Sequence, residues 1–333
     1  MRRSCVYRTG TYHGHGHPRR PSFHRLIFTD AGLGELLPKV EDIAEFRWRS
    51  LQKLGHRLFI QTFGLQTFAA QRACSNSCEA TLELLFSRED PITLQAVQAP
   101  APPREAELTP EQILHQRNIR DGCLSALQDR AYPLPVRLMR LGAGLRGAAP
   151  LEGSGDEEAQ RQAALRALAE FSPADIPPAD PGRAFALQQK LVRVLALDQP
   201  SVQAEADAAL ALFGDGPQAA ERYRQAAAAF AVHYPKWELW FEQMLVNQVL
   251  FEGFPYSDRR QRPAAAYSAL CAAYALVRFL AVGCTVQRHD VTQLVDICAA
   301  AFRFIAHTAF SWNAPIVLGP DGMPPALWVL VQN

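Results

Sequence analysis

Cys74 and Cys78 stand close together in ACSNSCEA, immediately ahead of a stretch that reads as helix. A helix N-terminus stabilises a thiolate, so both are candidate metal ligands. Two sulfurs alone complete neither a zinc nor an iron–sulfur site. Further ligands would have to come from Cys5 or from His13, His15 and His17. Those histidines alternate along HGHGH and fall on one side of an extended chain, which suits Zn²⁺ or Ni²⁺. Separated by glycines, they read rather as a solvated tail.

Gly142, Gly144 and Gly147 spell GAGLRG, a formal G-x-G-x-x-G. A dinucleotide or S-adenosylmethionine loop of that pattern needs a strand before it and a helix after it, so that backbone N–H groups face the ligand. The preceding VRLMRL has helical spacing, so the glycines read as a fraying helix end. Two polar clusters remain. LQDRAYPL, 127–134, puts Asp129, Arg130 and Tyr132 at the end of a helix that Pro133 cannot continue. By itself that is a helix stop with a surface ion pair. FEQMLVNQVLFEGFPYSD, 241–258, is apolar almost all round yet carries Glu242 and Asn247, which need partners if buried. No P-loop, H-E-x-x-H or nucleophile with a triad context accompanies them.

The elements that must position these groups are mostly helices. The chain has 333 residues, 48% hydrophobic and 20% charged, with a formal net charge of +1. That is the composition of a soluble globular protein and gives no basic excess for nucleic acid. Seven cysteines at irregular spacing argue for a reducing cytoplasm rather than a disulfide framework, and no apolar stretch near the N-terminus reads as a secretory signal. Residues 264–283, AAAYSALCAAYALVRFLAVG, are long enough to span a bilayer. The central Arg278 would cost roughly 2.5–3.5 kcal/mol there, so the segment reads as a buried helix and no membrane is expected.

The expected fold class is mainly α: a multi-helix layered domain preceded by a small irregular α+β N-terminal region. Residues 1–52 form a divergent, basic, His-containing head. A small α+β segment covers 53–98, with a hairpin around Gly64, a helix over 78–86 capped by Ser77, and a returning strand over 92–97. Residues 99–106, rich in Pro and Ala, form a linker. The helical domain spans 107–310, with helices over 110–130, 135–146, 157–171, 183–197, 202–213, 217–233, 236–252, 264–282 and 291–309. Thr109 before Pro110 and Asp290 with Gln293 supply start signals. Residues 311–333 read as a C-terminal tail.

Taken together, three ordered stretches resemble the flagellin lysine-N-methylase family. Ser77, Cys78, Glu79 and Ala80 match a family block close to S-C-P-E-A-A, without its proline. Leu127 to Leu134 match L-Q-D-R-x-Y-P-L. Glu242, Leu245, Val246, Asn247, Val249, Phe254 and Pro255 match a block close to E-N-Y-L-V-N-Y-V-F followed by F-P-F. The likeness covers residues 53–310. It implies S-adenosylmethionine as methyl donor, flagellin or another protein as substrate, Tyr132 and Glu242 as groups that orient or deprotonate the lysine amine, and Asp129, Arg130 and Asn247 as binding residues. Cys74 and Cys78 are the metal candidates. The family's cysteine-rich N-terminal region, associated with an iron–sulfur cluster, has no counterpart here, because residues 1–72 contain only Cys5. This chain is therefore expected not to assemble that cluster. A second reading is a catalytically inactive α-helical protein-binding scaffold derived from the family. The three blocks are expected to converge in the fold.

Overall fold

Proline opens four of the helices, where the missing N–H would have had no partner in any case and the fixed φ already suits the first turn. Pro110, Pro181, Pro200 and Pro263 take that place. Aspartates cap three helices, one of them the helix that opens at Pro181: Asp156 Oδ1 accepts from Ala159 N at 2.8 Å, Asp180 Oδ1 from Arg183 N at 2.9 Å, and Asp290 Oδ1 from Thr292 N at 2.8 Å. A computed structural model describes residues 57–59, 68–70, 76–77, 79–87, 89–92, 110–148, 156–194, 200–252, 254–256, 262–285, 290–319 and 326–332. These are mainly helical.

The helices are α1 (Glu79–Ser87), α2 (Pro110–Leu127), α3 (Leu134–Ala148), α4 (Glu157–Glu170), α5 (Pro181–Val194), α6 (Pro200–Phe213), α7 (Ala219–His233), α8 (Trp237–Glu252), α9 (Pro263–Thr285), α10 (Val291–His307), α11 (Phe310–Leu318) and α12 (Ala326–Val331). Two short strands, β1 (Arg57–Phe59) and β2 (Phe68–Ala70), pair antiparallel, with Leu58 opposite Ala69. The two strands flank the region of Gly64, and the residues between them lie outside the described residues. The head over 1–52, the linker over 99–106 and most of the returning strand lie outside the described residues.

Helix α9 is the hub, surrounded by α3, α5, α6, α7, α8, α10, α11 and α12. It is long and apolar enough to cross a membrane, and it is enclosed almost completely by the other helices. Small side chains make the enclosure possible. A Cβ added at Gly283 would sit 2.4 Å from that of Ala209, so α6 meets α9 almost backbone to backbone. Around the hub Phe185, Phe213, Tyr223 and Phe279 pack ring to ring, with centroids 5.1–6.1 Å apart. Each such side chain contributes roughly 1.5–3 kcal/mol by leaving water.

Three differences from the sequence expectation have physical causes. GAGLRG lies within α3 and is not a frayed end. A Cβ at Gly142 would lie 2.3 Å from the Tyr267 ring, at Gly144 2.8 Å from Leu168, and at Gly147 2.5 Å from Ala167. The glycines let α3 approach α9 and α4 closely, a use for the residue that needs no ligand. Residues 311–333 include α11 and α12, whose Phe310, Ala314, Leu318, Leu327, Trp328, Leu330 and Val331 are buried in the common core. Pro315 inside α11 and the brevity of α12 hid that periodicity. Helix α2 ends at Leu127 rather than Arg130, because the following residues turn.

Candidate functional site

The polar corner of the molecule is built from the turn between α2 and α3. Arg130 N donates to Gln128 O at 2.9 Å and Tyr132 N to Asp129 O at 3.2 Å, so the chain reverses before Pro133 and α3 begins. The start of α8 crosses this turn. Its Glu238 and Glu242, one helical turn apart, face the same way. Glu238 Oε2 accepts from Leu134 N at 3.3 Å, capping α3 from another helix.

Glu242 is 1% exposed and is gripped by two arginines. Arg130 Nε donates to its Oε2 at 3.0 Å and Nη2 to Oε1 at 2.9 Å, a bidentate fork, while Arg137 Nη1 donates to Oε2 at 2.5 Å. The hydrogen bond to Glu242 pushes the Arg130 guanidinium above its ordinary pKa. Arg137, itself buried, also donates from Nε to Tyr132 O at 2.6 Å and from Nη1 to Leu127 O at 3.2 Å. One side chain therefore ties both ends of the corner to the α8 carboxylate.

On the outer side Arg140 pairs with Asp129 and lies 5.4 Å from the centroid of the Tyr132 ring. Asp129, Tyr132 and Arg140 are all partly exposed. Arg140 Nε also donates to Leu168 O at 3.3 Å.

The N-terminal block joins from above. Asn247 Nδ2 donates to Asn76 Oδ1 at 2.9 Å, and Asn76 Nδ2 donates to Met244 O at 2.7 Å, all of it buried. Glu79 and the Ser77 carbonyl are held by Arg303 of α10. Beyond α1, Arg130 Nη1 donates to Glu89 O at 2.7 Å, Gln243 Nε2 to Asp90 O at 3.0 Å and Gln128 Nε2 to Ile92 O at 3.1 Å. Trp240 stacks on Phe86 and donates to its carbonyl at 3.0 Å. The three stretches singled out in the sequence thus meet along one seam formed by α1, the α2–α3 corner and α8.

Asp129, Arg130, Tyr132, Glu242 and Asn247 all sit on that seam, and they are bonded there to partners the sequence did not single out: Asn76, Arg137 and Arg140. A signal for Arg137 was present. A carboxylate such as Glu242 on a largely apolar helix requires a cation once buried, and LPVRLMRL supplies two arginines on one helix, although which of them serves it is settled only by packing. Nothing local connects residues so far apart in the chain.

Cys74, Cys78 and the three alternating histidines lie outside the described residues. Of the described cysteines, burial pushes the thiols of Cys123 and Cys271 up to about 12 and raises those of Cys284 and Cys298 as well. Such thiols are inert as nucleophiles. Among the described residues no group of three or more His, Cys, Asp or Glu side chains could hold a metal ion. GAGLRG, packed inside α3, presents no phosphate-binding or S-adenosylmethionine-binding loop.

An all-α layered domain with a buried carboxylate clamped by two arginines where three separate segments meet defines a class, not yet a lineage. The lineage comes from comparison: residues 120–312, more than half of the chain, match the model of the FliB lysine N-methylase C-terminal domain. The chain belongs to the FliB lysine N-methylase family. No curated protein and no solved structure matches it.

Proposed function

We propose that this chain is a protein-lysine N-methyltransferase that acts in the cytoplasm on flagellin, with S-adenosylmethionine as the methyl donor. The observation that carries the proposal is the convergence of the three family-like blocks on one seam, with Glu242 bound to Arg130 and Asn247 bound to Asn76. Residues distant in sequence are brought together in this way where a site has to be built. Methyl transfer to lysine needs a neutral amine held in line with the methyl carbon, and positioning supplies much of the rate.

The chain's own residues divide that work. Both Glu242 oxygens already accept arginine N–H groups, so its role is to position the corner through Arg130 and Arg137. Tyr132, partly exposed, is the group that meets the substrate. Asp129 and Arg130 line the approach, and Asn247 locks α8 to the N-terminal block.

The test is incubation of the full chain with S-adenosylmethionine and unmodified flagellin, with lysine methylation read by mass spectrometry beside Tyr132→Phe and Glu242→Gln. Methylation by the unaltered chain that falls in both variants is the expected result. Absence of transfer despite measurable flagellin binding would overturn the proposal in favour of a non-catalytic scaffold.

A further inference from the structure

Arg140 holds two contacts at the same time: an ion pair with the Asp129 carboxylate and a position over the Tyr132 ring, 5.4 Å from its centroid. A carboxylate beside an aromatic face is a cation seat, because the charge attracts the ammonium or guanidinium head while the ring's negative face attracts the same head from the side. The seat is fixed from behind. Ala131 N donates to Asp129 Oδ1 at 3.4 Å, and Arg137 Nε holds the Tyr132 carbonyl at 2.6 Å, so neither group is free to follow Arg140 away. The seat is also reachable. The Arg140 and Asp129 side chains are 25% and 34% exposed, against 5% and 1% for Arg137 and Glu242 directly behind them.

We propose that Asp129 and Tyr132 form the docking subsite for the alkylammonium head of a substrate lysine, which gives up its proton to solvent before methyl transfer, with Arg140 as an internal cation that occupies the subsite until the substrate displaces it. The inference rests on the lysine methylation proposed above and names the residues that would receive the side chain. A lysine suits such a seat because its long apolar stem can lie along partly buried surface while its charged head reaches the carboxylate.

A purely structural ion pair and a substrate subsite predict different signs. Asp129→Asn and Arg140→Met break the same ion pair, so a structural role moves both variants in the same direction. In the subsite, Asp129→Asn removes the attraction for the incoming lysine, whereas Arg140→Met removes the competitor and keeps the stem's packing. With methyl transfer to flagellin as the readout, Asp129→Asn should raise KM about tenfold, and Arg140→Met should lower it about threefold. Thermal midpoints measured in parallel report any common loss of stability. If the unaltered chain transfers no methyl group, the methylation proposal fails by itself. Flagellin affinity measured for the same three proteins then still tests the subsite, with opposite shifts expected. Shifts of the same sign in KM or in affinity, or none, would overturn it.

Discussion

Two buried charges in this molecule are handled in opposite ways. Glu242 at the corner is surrounded by matched partners, with two guanidinium groups on its oxygens and those guanidinium groups bonded in turn to the carbonyls of Glu89, Leu127 and Tyr132. Arg278, in the middle of the hub helix and 8% exposed, has its guanidinium 4.2 Å from the Trp237 centroid and donates from Nη1 to the Tyr274 hydroxyl at 2.7 Å. Its Nε is buried with no hydrogen-bond partner. The corner uses charge to fix where separate chain segments lie. The hub holds its charge inside an aromatic enclosure, where Trp237, Tyr274 and Tyr223 are its partners. A buried ion therefore organises a fold through the number and identity of its partners, and its burial alone says nothing about that role.

The largest effect that would break this contrast lies at Glu242. Glu242→Gln leaves Arg137 buried beside a neutral group and should cost about 3–5 kcal/mol in a urea titration, with methyl transfer abolished. Little change in the urea midpoint would mean that the corner is not held by charge. Next, Asn247→Leu strands the buried Oδ1 of Asn76 and should cost about 1–3 kcal/mol, seen as a lower thermal midpoint. Arg278→Met is the counterpart inside the hub. Replacing a charge that lacks a carboxylate by an apolar side chain of similar length should move stability by no more than about 1.5 kcal/mol in either direction. A loss as large as that of Glu242→Gln would erase the distinction between the two sites.

The smallest effect belongs to an exposed pair that sharpens the comparison from outside. A hydrogen bond from Arg161, then one from Gln162, lowers the Glu158 pKa from 4.5 to about 2. Because the folded value is the lower one, the pair's stabilisation is present above about 4.5 and disappears as pH falls towards 2. Glu158 is fully solvated, so Glu158→Gln should hardly alter the thermal midpoint at neutral pH, and any difference should vanish in acid.

Much of this architecture was legible because local signals agreed with it. Pro110 and Asp290 mark helix starts in the sequence and occupy those places in the fold, and the Ala-rich run with a lone arginine reads as a buried helix and is one. The last helices were not legible, because a proline at 315 and an isolated six-residue run, ALWVLV, carry no period that distinguishes them from a tail. At the corner, a helix end before Pro133 drew attention to Asp129, Arg130 and Tyr132, and polar residues inside an otherwise apolar helix drew attention to Glu242 and Asn247; the roles given to them came from the family resemblance. Arg137 escaped notice because its importance lies in a carboxylate supplied 105 positions later, a relation that exists only after packing. The spacing of Gly142, Gly144 and Gly147 was equally visible and equally ambiguous, since close contact with a helix and close contact with a phosphate both require the absence of a Cβ.

The position of the hub helix has a consequence for how the protein is made. Helix α9 begins at Pro263, and the helices it joins start as early as Leu134 and end as late as Val331. A ribosome therefore releases α3, α5, α6, α7 and α8 before the element that covers their apolar faces has been synthesised. During that interval Leu138, Val202, Phe213, Tyr223 and Phe241, all at most 1% exposed in the finished protein, have no hub to pack against. Nascent chains halted before α9 should be bound by chaperones and cut readily by proteases, and protection should arrive late and abruptly rather than helix by helix.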